Sequence, residues 1–320
     1  MASKYNSLLL SKFGQSGAAF SFALIELAEA NPSIVVLSSD MSTPAGLDKF
    51  KKTYPDRFFN VGIAEQNLIG VAAGLASEGW IPIVVAQACF LSMRAFEQVR
   101  QYCGYMGYPI IICGIGAGFG LQFMGNTHYS IEDIGVLRTI PNMTVISPAD
   151  ALECCMALEK AISYRKPMYI RFTDKMGCPV VYKDDFNYEI GVANELREGE
   201  DVQLIATGSL VNLALKVADA LAQEGVSTSV IDMHTIKPFD GSRINKNAKL
   251  IASIEEHNII NGLGAAVADY LPNGHTKAKL LRFGVSDKFS EVGEYAYLLE
   301  QHGFTVDKVF STIINELSNK

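Results

Sequence analysis

The sequence predicts an α/β protein of two doubly wound domains, the second smaller than the first. Three observations carry this. Continuous apolar runs of strand length alternate with helical stretches, the pattern of a parallel sheet covered on both faces. A stretch from about residue 175 to 201, rich in Asp, Asn and Glu, interrupts that pattern. The alternation then restarts. The boundary is placed within that stretch, giving domains 1–185 and 186–320.

In chain order, residues 34–38 (Ile-Val-Val-Leu-Ser) read as a strand. Residues 65–76 read as a helix, 81–86 as a strand, 93–103 as a helix and 109–113 as a strand. Strand 143–147 follows, then a helix opened by Pro148-Ala149-Asp150 and running to 161, and strand 168–172 closes the first set. The second set comprises strand 202–206, helix 211–223, strands 227–232 and 250–254, and helix 263–270. There is no low-complexity tract and no short-period repeat.

The 320 residues are enough for two domains with substantial cores. Hydrophobic residues at 49% and charged residues at 19% describe a globular chain. A net charge of −7, without a dense Lys/Arg cluster, argues against a nucleic-acid partner. The start of the chain lacks a basic region followed by an apolar core, so no signal peptide is expected. No run reaches the roughly 18 apolar residues of a membrane span, so no membrane partner is expected. Six cysteines, Cys89, Cys103, Cys113, Cys154, Cys155 and Cys178, form no CxxC pair and no zinc-like spacing with His. They read as reduced core residues of a cytoplasmic protein.

The segment Val61-Gly62-Ile63-Ala64-Glu65-Gln66-Asn67 opens an otherwise small and apolar helix. A carboxyl buried there is costly unless something uses it, and a buried nitrogen heterocycle is a suitable partner for a proton or hydrogen bond. A carboxylate favoured by the helix dipole is the competing reading.

This segment, with Asn60 before it, resembles the pyrimidine-binding domain of transketolases. Four further stretches agree in order and spacing: Phe90 through Arg94-Ala95-Phe96-Glu97-Gln98; Thr127-His128-Tyr129-Ser130-Ile131-Glu132-Asp133; Pro141-Asn142 through Pro148-Ala149-Asp150; and Tyr169-Ile170-Arg171. The second domain resembles the transketolase C-terminal domain through Ile205-Ala206-Thr207-Gly208-Ser209, Thr235-Ile236-Lys237-Pro238, Glu255-Glu256-His257 and Asn261-Gly262-Leu263-Gly264. The fold implied is a thiamine-diphosphate-binding, pyrimidine-type domain followed by a transketolase C-terminal-like α/β domain.

Transketolases hold the cofactor's diphosphate through a divalent metal, with a Gly-Asp-Gly and a later Asn. No Gly-Asp-Gly occurs here, so no metal ligand is assigned to this chain. The resemblance implies a split transketolase. A partner, the N-terminal subunit, supplies the diphosphate domain and most of the hold on Mg2+ or Ca2+; this chain supplies the aminopyrimidine half-site. The two are expected to assemble as α2β2.

The implied reaction moves a two-carbon ketol unit from a ketose to an aldose through the thiamine diphosphate ylide. By resemblance Glu65 shares a proton with the pyrimidine N1′, and Phe90 packs on the pyrimidine face. Arg94 also falls among the cofactor-binding positions, and Asp40 matches an acidic position near the thiazolium ring and substrate; a helix-cap or turn role is the competing reading for Asp40. His128 faces substrate, where it hydrogen-bonds a sugar hydroxyl or the developing oxyanion. Arg171 matches an Arg that grips a sugar phosphate; a structural ion pair is the competing reading.

Three departures bear on the sugar or sugar-phosphate substrate. Met124 stands where the family has an Asp, Gly116 where many members have a second His, and Gly17 where many have a phosphate-binding Arg. The loss of polar readers implies a substrate other than an ordinary pentose phosphate, one that is less phosphorylated, bulkier or nucleotide-linked. His257 reads as structural, near the domain interface, and Glu132-Asp133 as a helix start. Gly114-Ile115-Gly116-Ala117-Gly118-Phe119-Gly120 reads as a flexible loop leading to His128. The beta subunit of a 2-oxoacid dehydrogenase is the alternative enzyme, and a non-catalytic partner subunit the alternative of another class.

Overall fold

The computed structural model describes residues 4–173, 177–184, 186–273 and 278–318; Lys175 and Asp185 of the expected boundary, and His275, lie outside them. The strands are β1 (Ile34–Ser38), β2 (Phe58–Asn60), β3 (Ile81–Gln87), β4 (Ile111–Ile115), β5 (Thr144–Ile146), β6 (Met168–Phe172), β7 (Asn194–Arg197), β8 (Val202–Ala206), β9 (Thr228–Asp232), β10 (Thr235–Lys237), β11 (Leu250–Asn258) and β12 (Lys279–Val285). The α-helices are α1 (Ser7–Ala18), α2 (Leu24–Ala30), α3 (Asp48–Thr53), α4 (Glu65–Ser77), α5 (Phe96–Val99), α6 (Asp133–Arg138), α7 (Ala151–Tyr164), α8 (Val211–Gln223), α9 (Leu263–Tyr270), α10 (Tyr295–Gln301) and α11 (Val306–Ser318).

Two sheets result, in the orders β10-β5-β6-β4-β3-β1-β2 and β12-β11-β8-β9-β7. All pairings are parallel except those of the edge strands β10 and β7. Every residue of β1, β4, β6, β8 and β9 is buried, which is why these strands read as largely apolar runs, with Arg171, Gln203 and Asp232 among their few buried polar residues. Alternate side chains go to opposite faces: Ile34 and Val36 pack with Phe20, Leu24 and Phe50, whereas Val35 and Leu37 pack with Leu68 and Ala72 of α4. Cys154 and Cys155 likewise enter different clusters, and all six cysteines are buried.

The two halves are knit together. Strand β10 follows β9 in the chain but joins the first sheet, against β5. One apolar cluster runs from Leu10, Phe119 and Tyr129 through Val211 and Leu250 to Phe304 and Ile313.

Several elements differ from the sequence reading. The helix expected over 93–103 is broken into wide π-type turns at Phe90–Arg94 and Arg100–Tyr105 flanking α5, a distortion common at functional sites. Strand β4 starts two residues late, after Pro109, whose nitrogen cannot donate to a ladder. Strand β11 runs on through Glu255-Glu256-His257, which are buried because their polar atoms are bonded. The stretch Ser7–Ala30 was not expected to have span-like character, yet it has the length and mean hydropathy (1.3) of a membrane-crossing helix. Half of its apolar window is buried within the protein, and Gly14 (φ 74) breaks its regularity.

Candidate active site

Strands β1 and β3 are neighbours, but the chain leaves β1 toward β2 on one side and continues through β3 and β4 on the other. Their carboxyl ends therefore flank a topological switch point, the crevice where open α/β sheets bind ligands. Asp40 follows β1, Glu65 follows β2 and Phe90 follows β3.

The β1 end is a polar turn. Asp40 takes a left-handed conformation (φ 57). Its N–H donates to Asn60 Oδ1 at 3.0 Å, and Asn60 Nδ2 donates to Asp40 Oδ1 at 3.2 Å. Asn60 Oδ1 also accepts from Gly62 N at 3.0 Å, and Gly62 has φ +75, which glycine adopts without strain. Ser39 Oγ donates to Gly62 O at 2.8 Å and accepts from Ala64 N at 3.0 Å. A side chain from one strand end thus holds the residue that opens α4, and Glu65 is placed at the first helical position, 3% exposed at its side chain. The positive end of α4 favours its carboxylate.

The wide turn after β3 brings two partners. Arg94 Nη1 donates to Glu65 Oε2 at 2.7 Å. The same guanidinium lies 4.0 Å from the centroid of the Phe90 ring, a cation–π contact one turn along the helix. Beyond Phe90 stands His128, its ring 5.4 Å away and inclined by 66°. His128 Nδ1 is 2.8 Å from Thr127 Oγ1, and its N–H donates to Gly125 O at 2.9 Å. Glu65, Arg94, Phe90 and His128 therefore form one contiguous row. Met124 lies on the same short turn as His128 and is 50% exposed.

Arg171 is elsewhere. Its Nε donates to Asp133 Oδ2 at 2.9 Å, and its Nη2 donates to Ser130 O at 3.0 Å and Glu256 O at 2.8 Å, with the side chain 1% exposed. The expected grip on a sugar phosphate is replaced by the ion-pair reading, because a guanidinium enclosed in this way presents no face to solvent. Asp133 opens α6, as the sequence suggested for Glu132-Asp133, and its role as the counterion of Arg171 was missed. No local signal links two residues 38 apart.

The glycine-rich stretch is not flexible. Residues 114–119 are all buried, Phe119 N donates to Glu256 Oε1 at 2.6 Å, and a side chain at Gly118 or Gly120 would collide with Glu256 or with Thr173 O. At Gly116 (φ +67) a Cβ would lie 2.5 Å from Leu121 Cγ, so the left-handed backbone and the Leu121 side chain both oppose a second His there.

His257 is structural. Its Nε2 accepts from Gly135 N at 3.1 Å and its Nδ1 faces Asn258 O at 2.7 Å, with burial lowering its pKa. Glu255 caps α9 through Leu263 N and Gly264 N at 2.6 and 2.8 Å, and burial pushes its carboxyl up to about 7. Glu256 accepts from Phe119 N, Ser209 Oγ and Tyr295 Oη between the domains.

Residues 15–178 match the model of the transketolase pyrimidine-binding domain, and residues 191–309 that of the transketolase C-terminal domain. The chain is 36% identical over 289 residues to the 6-deoxy-6-sulfo-D-fructose transketolase subunit SqwH of Clostridium sp. (strain MSTE9), covering 89% of each. It is 33% identical over 299 residues to an apulose-4-phosphate transketolase subunit of Phocaeicola vulgatus, covering 92% of this chain and 95% of the relative. Among solved structures, a split-gene transketolase described as an inactive beta4 tetramer superposes with a TM-score of 0.85 at 37% identity, covering 95% of this chain and 99% of that one.

Proposed function

The chain belongs to the transketolase family, and from that premise we propose that it is the pyrimidine-binding subunit of a split, thiamine-diphosphate-dependent transketolase that transfers a two-carbon ketol unit from a ketose to an aldose. The observation that carries this reading is Glu65: a carboxylate 3% exposed, at a helix start, in a row with an aromatic face and a histidine.

The residues present fit an aminopyrimidine. Arg94 engages Glu65 Oε2 and balances its charge, which leaves Oε1 for a ring nitrogen. Glu65 would accept from and share the proton of that nitrogen, and Phe90 would offer its face to the ring. When bound, thiamine diphosphate supplies an electron sink at its thiazolium C2. His128, beside Phe90, would donate to the sugar oxygen that gains negative charge. Asp40, held by Asn60 at the end of β1, would orient a hydroxyl or the cofactor edge.

The diphosphate and its divalent metal, Mg2+ or Ca2+, fall to a second chain bearing Gly-Asp-Gly and a later Asn, and the assembly is α2β2. Relatives that are themselves named as subunits, and matched over nearly their whole length, support this arrangement.

The substrate we propose is a modified sugar rather than an ordinary pentose phosphate. Exposed Met124 and Phe123, a Gly116 whose backbone and neighbour Leu121 disfavour a side chain and an enclosed Arg171 leave few polar readers around His128. The relatives are named for a sulfonated deoxyfructose and for apulose 4-phosphate, which agrees with a subfamily of varied sugars.

The test is to purify this chain with the Gly-Asp-Gly chain, add thiamine diphosphate and Mg2+, and assay ketol transfer over a panel of ketoses and aldoses. Turnover that requires both chains is expected. Activity with pyruvate and a lipoyl acceptor, and none with ketoses, would replace the reading; efficient use of xylulose 5-phosphate with ribose 5-phosphate would remove the substrate proposal.

A further inference from the structure

The turn that carries Met124 and His128 belongs to the first domain in sequence, yet the second domain holds it. Asn126 Nδ2 donates to Ser290 O at 2.7 Å, and Ser290 N donates back to Asn126 Oδ1 at 2.9 Å. Tyr129 Oη donates to Gln122 O at 2.6 Å and reaches Glu291 O at 3.3 Å; Gln122 Oε1 accepts from Tyr295 N at 3.3 Å. Val292 lies against the turn, its Cγ2 3.0 Å from where a Cβ of Gly125 would stand. Ser290 is fixed in its turn, with Oγ 2.8 Å from His302 Nε2, and the His302 ring is stacked on Phe119 at 5.0 Å and 11°.

Phe123 and Met124, at the tip, are exposed, so no burial of apolar surface anchors it there. Backbone hydrogen bonds shape the turn and Tyr129 packs its base on Phe119, while the polar ties to residues 290–295 join it to the second domain. His128 follows any movement, because its own N–H is bonded to Gly125 O, the residue next to Asn126.

We propose that the Asn126–Ser290 pair makes the C-terminal domain a positioning element for the substrate-facing turn, with Asn126 setting where the His128 imidazole stands against Phe90. The effect on rate rests on the ketol-transfer reading of His128; the effect on conformation rests on the contacts alone. Asn126 touches no reacting atom in this account, and it acts through His128 and Met124. A displacement near 1 Å at such a position costs about a hundredfold in rate.

Two measurements test it. Hydrogen exchange on the isolated full chain reads the conformation. Asn126→Ala is expected to speed exchange of the amides of residues 121–129 at least tenfold while β3 stays as in the wild type. Ser290→Ala keeps the backbone groups that Asn126 uses and removes only the Oγ tie to His302, so it is expected to loosen 121–129 less than Asn126→Ala does. Wild-type exchange in Asn126→Ala, or equal loosening in Ser290→Ala, overturns the proposal; a rise across the whole chain marks misfolding, and Asn126→Asp, which keeps one acceptor, then serves in its place.

The second measurement uses the complex with the diphosphate-binding subunit, with 3-hydroxypyruvate as ketol donor and glycolaldehyde as acceptor. Asn126→Ala is expected to lower kcat/KM about ten- to a hundredfold. In the His128→Ala background the same change is expected to cost less than about twofold, because residues acting as one unit are not additive. Full additivity overturns the positioning role. A wild-type complex inert to this donor counts against the ketol-transfer reading, and the exchange measurement then decides the proposal by itself.

Discussion

Arg171 Nε meets Asp133 Oδ2 at 2.9 Å with the two side chains 1% and 0% exposed. Tyr169 Oη donates to the same carboxylate at 2.7 Å, and the guanidinium continues to Ser130 O and Glu256 O. One ion pair thus ties β6, α6 and the second-domain strand β11 together.

Removing one partner of such a pair leaves a buried charge without a counterion, which costs about 3–5 kcal/mol. Asp133→Ala is expected to lower unfolding stability by that amount in a urea titration. The double variant Arg171→Met/Asp133→Leu is expected to recover part of the loss. A single-variant loss under about 1 kcal/mol would mean that the pair is not enclosed in solution.

Glu65→Gln keeps shape and one acceptor but cannot take up a proton. In the assembled complex it is expected to reduce kcat by at least about a thousandfold, within the range of acid–base contributions, with the melting temperature of the subunit little changed. Arg94→Met is expected to act differently. It leaves the Glu65 carboxylate without its ion pair, so the subunit loses about 1–3 kcal/mol, the cost of an unsatisfied buried acceptor. Wild-type turnover by the Glu65 variant would remove this carboxylate from the chemistry.

Gly116→His introduces the residue type that the family resemblance suggests for this position. It is expected to destabilise the chain by about 1–3 kcal/mol, because a left-handed backbone and the Leu121 side chain both oppose a Cβ. Adding Leu121→Ala is expected to relieve only the steric part. Thermal melts of the two variants separate the contributions, and a Gly116→His chain as stable as the wild type would show that Leu121 moves freely.

Between the domains, burial pushes the Asp232 carboxyl up to about 7; it accepts from Tyr182 Oη at 2.7 Å, and the neighbouring buried Glu153 carboxyl is likewise raised by burial. An acid whose pKa rises on folding holds its proton more tightly in the folded state. Its stabilising contribution is whole below the ordinary value of 3.8 and is lost as pH rises through about 7. The wild type is therefore expected to lose stability relative to Asp232→Asn between pH 5 and 7, by at most about 1.4 kcal/mol per pH unit. Urea titrations of both proteins across that range check the sign; a difference that grows in favour of the wild type would contradict it.

Much of the fold was legible because burial on both faces writes parallel strands as apolar runs. Strands β1, β6 and β8 and helices α8 and α9 fall where the sequence placed them. The short edge strands β2, β7 and β10, and the amphipathic C-terminal helices, carried no comparable run and were missed. Within the site, the order Glu65, Phe90, Arg94, His128 was readable as a motif set. The distortion that stacks Arg94 on Phe90 was not, since a widened turn leaves no mark on apolar periodicity.

The sequence by itself determined which side chains can do chemistry here and which strands must be enclosed, because both follow from residue type and local spacing. Only the tertiary structure decided what each polar group meets. Arg171 went to Asp133, the glycine-rich stretch closed on Glu256, and Asn126 crossed to Ser290. Those partners stand 38, 137 and 164 residues apart, and each polar group meets whichever complement the packed chain brings within about 3 Å, a distance that no local pattern encodes.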